Sequence, residues 1–210
     1  MKCLATWLLL SMLLLVGCSE TPDAKTLTAS APPTALAPEA QKAARQRGKA
    51  IVAETFKLLS SKLQTAIQQG GGSNALPFCS LAASPLTAGL AGKQGVTIRR
   101  VTQKAPHPAS RADATELAIL KESEAALTGT NAAPLVANLT ENTATFFAPL
   151  ILNNELCQRY HGEPGEDITA EDIAVIQRSY PQDEAIGFKL GQLHGAWRID
   201  IPLAGLPRAQ

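Results

Sequence analysis

From Pro38 onward the apolar residues fall into a helical rhythm. Ala44, Gly48, Val52, Phe56, Leu59, Leu63 and Ile67 recur at intervals of three and four, with Arg45, Lys49, Lys57 and Lys62 between them. That spacing predicts a long one-sided helix whose stripe must pack on something. Pro38-Glu39 supplies its start, with proline in the first turn and an acid at the positive end of the dipole. Gly70-Gly71-Gly72-Ser73-Asn74 stops it. A shorter helix is expected over Leu76 to Leu81, carrying Cys79. The period then shortens to two. Gly95 to Val101 alternates as a strand and Ala105-Pro106-His107-Pro108 breaks it. Ala112 to Ala126 reads as another helix. Pro134 to Asn138 and Thr143 to Leu152 read as short strands. Thr169-Ala170-Glu171-Asp172 opens a helix that runs to about Arg178. Gly187 to Gly191 and Gly195 to Pro202 read as a closing hairpin. Helices first and an antiparallel sheet afterwards predict an α+β fold.

The N-terminus follows a different pattern. Leu4 to Val16 is an apolar run after a short basic start. It is too short for a stable span, which needs roughly twenty residues, and has the length of a signal-peptide core. It ends in Leu15-Val16-Gly17-Cys18, which resembles the bacterial lipoprotein box. The resemblance implies cleavage before Cys18, lipidation of that cysteine and anchorage in the membrane; Ser19 after it favours the periplasmic side of the outer membrane. The other reading is an ordinary secreted protein with a cysteine at the junction. Residues 1–17 are thus expected as a signal, 18–38 as a Pro/Ala/Thr-rich tether and 39–210 as the folded domain.

Composition narrows the chemistry. The chain has 19 basic and 18 acidic residues. Loss of Lys2 with the signal leaves 18 against 18, which argues against nucleic acid as a partner. Cys3 leaves as well, so Cys79 and Cys157 are the only unmodified thiols of the mature chain. Histidine chemistry is confined to His107, His161 and His194. No paired carboxylates or activated nucleophile stand out, so no catalytic role is expected.

One stretch carries a motif. Cys157-x-x-Tyr160-His161 has the length and terminal histidine of a c-type haem site, with tyrosine where the second thiol belongs. At most one thioether, from Cys157, can form. Taken alone, a cysteine and a histidine four apart more often mark a surface turn. Arg99 and Arg100 could pair with haem propionates or could face solvent.

Blocks elsewhere extend the motif. Phe78-Cys79-Ser80 follows the long helix. Ile98-Arg99-Arg100-Val101 precedes Pro106-His107-Pro108, and Phe147-Ala148-Pro149-Leu150 precedes the motif. Tyr180-Pro181-x-Asp183-x-Ala185-x-Gly187-Phe188-x-x-Gly191 and Gly195-Ala196 follow it. In order and spacing these resemble a family of periplasmic, PAS-like, c-type haem-binding domains, found alone or as input domains of sensor kinases. The resemblance implies a PAS-like twisted antiparallel sheet with the long helix against it. It implies Cys157 as the thioether cysteine, His161 as the proximal iron ligand and Cys79 as the other axial ligand. A thiolate there suits redox or ligand sensing and lowers the reduction potential. Tyr160 offers a further possibility, since tyrosinate binds ferric haem in catalase. Three outcomes stay open: haem held by His161 and Cys79, with or without one covalent bond; a haem-free module braced by a Cys79–Cys157 disulfide; and a haem-free binding module with two inert thiols. With no kinase segment after residue 210, any signal is expected to pass to a separate partner protein.

Overall fold

The structure is a computed structural model and describes residues 36–70, 75, 83–127, 133–140 and 142–206. Cys18, Cys79 and the helix expected over Leu76 to Leu81 lie outside the described residues. All described residues belong to one compact unit, Pro32–Gln210. Helix α1 (Pro38–Gly70) is followed by α2 (Ala83–Gln94), β1 (Thr97–Val101), α3 (Ala114–Ala125), β2 (Leu135–Thr140) and β3 (Thr143–Ile151). Then come α4 (Glu155–His161), α5 (Ala170–Ser179) and β4 (Leu193–Pro202). The four strands form one antiparallel sheet in the order β1-β4-β3-β2. The last strand therefore inserts between the first and the third. The fold is α+β, as expected.

Because side chains alternate across a strand, the sheet has two dissimilar faces. One carries Ile98, Ala144, Phe146, Ala148, Ile199 and Ile201 against Ala44 and Ile51 of α1 and Ala91 of α2. The other carries Val101, Phe147 and Ala196 against Leu117 and Leu120 of α3. Gly48 lets α1 approach closely: a Cβ there would lie 2.3 Å from the Phe146 ring. The buried line of α1 runs Ala40, Ala44, Gly48, Ile51, Thr55. Further along, Leu63 and Ile67 pack on Tyr160, Ile168 and Ile176 of a second cluster.

The opposite face is fixed by charge. Asp113 caps α3 and Glu116 returns the contact, a reciprocal capping box. Glu116 is completely buried, and its carboxylate also receives Arg99 of β1 and, at 2.7 Å, Arg198 of β4. Arg198 in turn reaches Asp200, which accepts from Thr145 at 2.8 Å and Thr97 at 3.0 Å.

Three expectations need correction. Helix α2 lies where none was expected; Thr87, Gly89 and Gly92 are weak helix formers, and the helix persists because Leu90 and Ala91 are buried. Residues 187–191 form a turn and not the first arm of a hairpin, because β4 pairs with β1 and β3. Phe56, placed on the apolar stripe by its spacing, is 67% exposed; the buried line passes beside it.

Candidate functional site

Cys157 and His161 sit on α4, directly after β3. Asn154 caps this helix by accepting from the Cys157 N–H at 2.8 Å. The four-residue spacing places both residues on one helix face. That face meets the segment 185–188. Cys157 packs with Leu152, Ala185 and Phe188, and the Phe188 N–H donates to the His161 carbonyl at 2.9 Å. Asp183 shapes the approach by accepting from the Ala185 N–H at 2.9 Å. Burial raises the Asp183 carboxyl above its ordinary pKa.

The Ala185 carbonyl lies 2.8 Å from His161 Nδ1. A carbonyl only accepts, so Nδ1 carries the proton and Nε2 keeps its lone pair. Surrounding atoms exclude most water from the half-buried ring. This desolvation, with the nearby Arg100 charge, lowers the His161 pKa to about 4. At neutral pH the residue is an uncharged imidazole with its tautomer set by the backbone, the state a metal requires of a histidine ligand.

His194 joins it from the start of β4. The two rings stand 4.1 Å apart at an interplanar angle of 53°. Phe188 meets His194 edge-on at 4.7 Å. Arg100 Nη2 lies 2.7 Å from His194 Nδ1 and 3.1 Å from Nε2; a guanidinium only donates, so the ring accepts, with Nδ1 the nearer nitrogen. Burial, then Arg100 and His161, hold the His194 pKa far below the ordinary histidine range. Gly195 makes the junction possible. Its φ of +136° is open to glycine, and a Cβ would lie 2.5 Å from the Val101 carbonyl oxygen.

Strand alternation divides the two arginines. Arg99 faces α3 and joins Glu116; Arg100 points to the other face and joins His194. Lys104 lies 4.9 Å above the Phe188 ring and donates to the Ile186 carbonyl at 2.9 Å. A cleft of about 250 Å³ opens beside Phe188, lined by Lys104, Leu120 and Leu193 among others. It lies on the α3 side without His161, and falls below the roughly 300–1,000 Å³ of ordinary ligand pockets.

Sequence spacing thus brought Cys157 and His161 together correctly as one face of one element. It did not bring Tyr160 to them. Tyr160 is buried with Ile168 and Ile176 in a cluster that contains neither Cys157 nor His161. Cys157 is a half-buried free thiol; Cys79, its partner in the expected disulfide, lies outside the described residues. His107 caps the turn Pro108–Ser110 by accepting from the Ala109 N–H. His194, Arg100 and Phe188 are the residues sequence reasoning did not assemble. Only the β1–β4 register, pairing Arg100 with Trp197, places them.

The donor set fits a haem. A half-buried neutral imidazole has an Nε2 without a hydrogen-bond partner among the described residues, a thiol stands one turn before it on the same face, and cationic Arg100 and Lys104 lie near. Among the described residues no group of three or more His, Cys, Asp or Glu is placed to hold a metal ion.

The model of a family described as Tll0287-like matches residues 36–202, from the start of α1 to the end of β4. The crystal structure of a cyanobacterial haem-protein, Tll0287, is similar in fold. Its TM-score is 0.53 at 19% identity, with 78% of this chain and 98% of that chain covered. Among curated proteins none matches.

Proposed function

The chain belongs to the Tll0287-like family, and from that premise we propose that it is a lipid-anchored periplasmic haem-binding protein with a redox or ligand-sensing role and no catalysis of its own. The observation that carries this reading is His161: half-buried, neutral, its Nδ1–H held by the Ala185 carbonyl at 2.8 Å and its Nε2 left for a metal. Haem bound there would supply a one-electron iron couple. His161 would hold the iron. Cys157, four residues earlier on the same face, would make the one thioether the motif allows. Cys79, by the family resemblance, would be the second residue to hold the iron. Lys104 would offset the negative charge of the haem carboxylates. Lipidation of Cys18 follows from the lipoprotein-like box, and the tether keeps the domain near the membrane, where a separate partner protein receives the signal or the electron.

A haem-free binding module is the second reading, favoured by the direct packing of His194 on His161. The full chain, purified from a host with periplasmic haem supply, separates the two. A Soret band that disappears in Cys79→Ala supports the assigned ligand pair. Haem that resists acid-acetone extraction in the wild type, but not in Cys157→Ser, supports the thioether. A colourless wild-type protein overturns the proposal in favour of the haem-free module.

A further inference from the structure

Two of the three histidines of the chain meet at one point, and the haem reading uses only one of them. The His194 ring is fixed from several directions. Phe188 meets it edge-on at 4.7 Å, the Arg100 guanidinium donates to it at 2.7 Å, and its backbone begins β4. The His194 carbonyl also accepts from Thr102 Oγ1 at 3.0 Å, which ties it to the residue following β1. This immobilised ring lies against His161.

The distance decides what His194 can do. Imidazoles bound to opposite sides of one iron have ring centres about 6 Å apart, given a metal–nitrogen bond of roughly 2 Å. At 4.1 Å the two rings touch. In this arrangement His194 is a neighbour of the His161 ring, not its partner across a macrocycle. Its lone pair at Nδ1 is already engaged by Arg100. Arg100 is charged at every accessible pH and stands on the His161 side of the sheet, whereas Arg99 stands on the other side with Glu116.

We propose that Arg100 and His194 are positioning residues for His161: His194 fixes the plane of the imidazole, and Arg100 places a permanent positive charge beside it that raises the reduction potential of bound haem. Ferric iron gains one electron on reduction and loses one unit of positive charge. A buried cation nearby therefore favours the ferrous state. Second-shell hydrogen bonding and burial are established levers on such potentials. The inference rests on the haem reading above, and its test separates the two.

The full chain reconstituted with haem is titrated spectroelectrochemically as wild type, Arg100→Gln, Arg99→Gln, His194→Ala and His194→Phe. Arg100→Gln is expected to shift the equilibrium at least tenfold toward ferric haem, a fall of about 59 mV or more for one electron. Arg99→Gln, removing the same charge from the opposite face, is expected to leave the potential in place. His194→Ala is expected to broaden the ferric EPR signal as the His161 ring gains freedom, and His194→Phe, which keeps a flat ring there, to restore it. Equal shifts from both arginine variants, or an unchanged EPR signal in His194→Ala, would overturn the proposal. If the wild type takes up no haem, the haem reading fails alone. The positioning is then read in the apoprotein by ¹⁵N NMR of the imidazoles. A single Nδ1–H tautomer for His161 in the wild type that averages in His194→Ala upholds the role of His194; one unaffected by the substitution overturns it.

Discussion

Glu116 and Glu184 show how the same residue type acts differently with burial. Glu184 pairs with Arg111 at 2.6 Å, but both side chains are half exposed, and solvent screens such pairs so that they contribute little. Glu116 is sealed between two guanidinium groups and the α3 cap. Its removal leaves Arg198, only 16% exposed, without its carboxylate, and breaking a buried pair costs about 3–5 kcal/mol. Glu116→Ala is expected to lower Tm by about 10 °C or more and Glu184→Ala by at most a couple of degrees, read by thermal denaturation of both variants. The histidines make a second residue-scale prediction. His161 in the fold has a pKa of about 4, against about 6.5 when unfolded. Between those values the unfolded chain binds a proton that the folded chain refuses. The contribution of a neutral His161 to stability is therefore complete above about pH 6.5 and is lost as pH falls toward 4. Its size is roughly 3 kcal/mol. His194 acts in the same direction, while Asp183, with its raised pKa, opposes them at the acid end. Urea unfolding of the apoprotein is expected to show a clear fall in stability between pH 6.5 and 4.5, reduced in His161→Gln. A flat profile would mean that the imidazoles are solvated.

Among the elements, α1 depends on a close approach. A methyl at Gly48 would enter the Phe146 ring at 2.3 Å, and Phe146 is fully buried in β3. Gly48→Ala gains helix propensity of about 1 kcal/mol, but overpacking costs about 1–3 kcal/mol or more. The steric effect wins, and the variant is expected to unfold at lower urea by equilibrium fluorescence despite its better helix former. Elements with a strong local signal were legible in sequence. The 3.6 period of α1, the capping of α5 by Thr169 and the alternation Ala196 to Ile201 each act within a few residues. Helix α2 was not legible, because its stability comes from burial of Leu90 and Ala91 and not from propensity. The false hairpin at 187–191 has the same origin. Gly187 and Gly191 do make a turn, with positive φ at both, but the partners of β4 lie about fifty residues upstream or more. The site divides along the same line. Cys157 and His161 share one helical turn and were found. Arg100 and His194 meet only through strand pairing and were not.

For the whole molecule, the antiparallel sheet holds two functions apart. One face, with α3, is closed by the Glu116 network and stabilises the fold. At the end of the other, the exit of β3, the end of β1 and the start of β4 bring Cys157, His161, Arg100 and His194 within reach of each other. Among the described residues no helix is long and apolar enough to cross a membrane; in the proposed arrangement lipid on Cys18 attaches the domain. The most direct measurement of the central claim is an optical titration of the purified apoprotein with hemin, wild type beside His161→Ala. Expected is a saturable Soret shift at one haem per wild-type chain and its loss, or a weakening of at least a hundredfold, in His161→Ala. Equal binding by both proteins, or by neither, would contradict His161 as the residue that holds the iron.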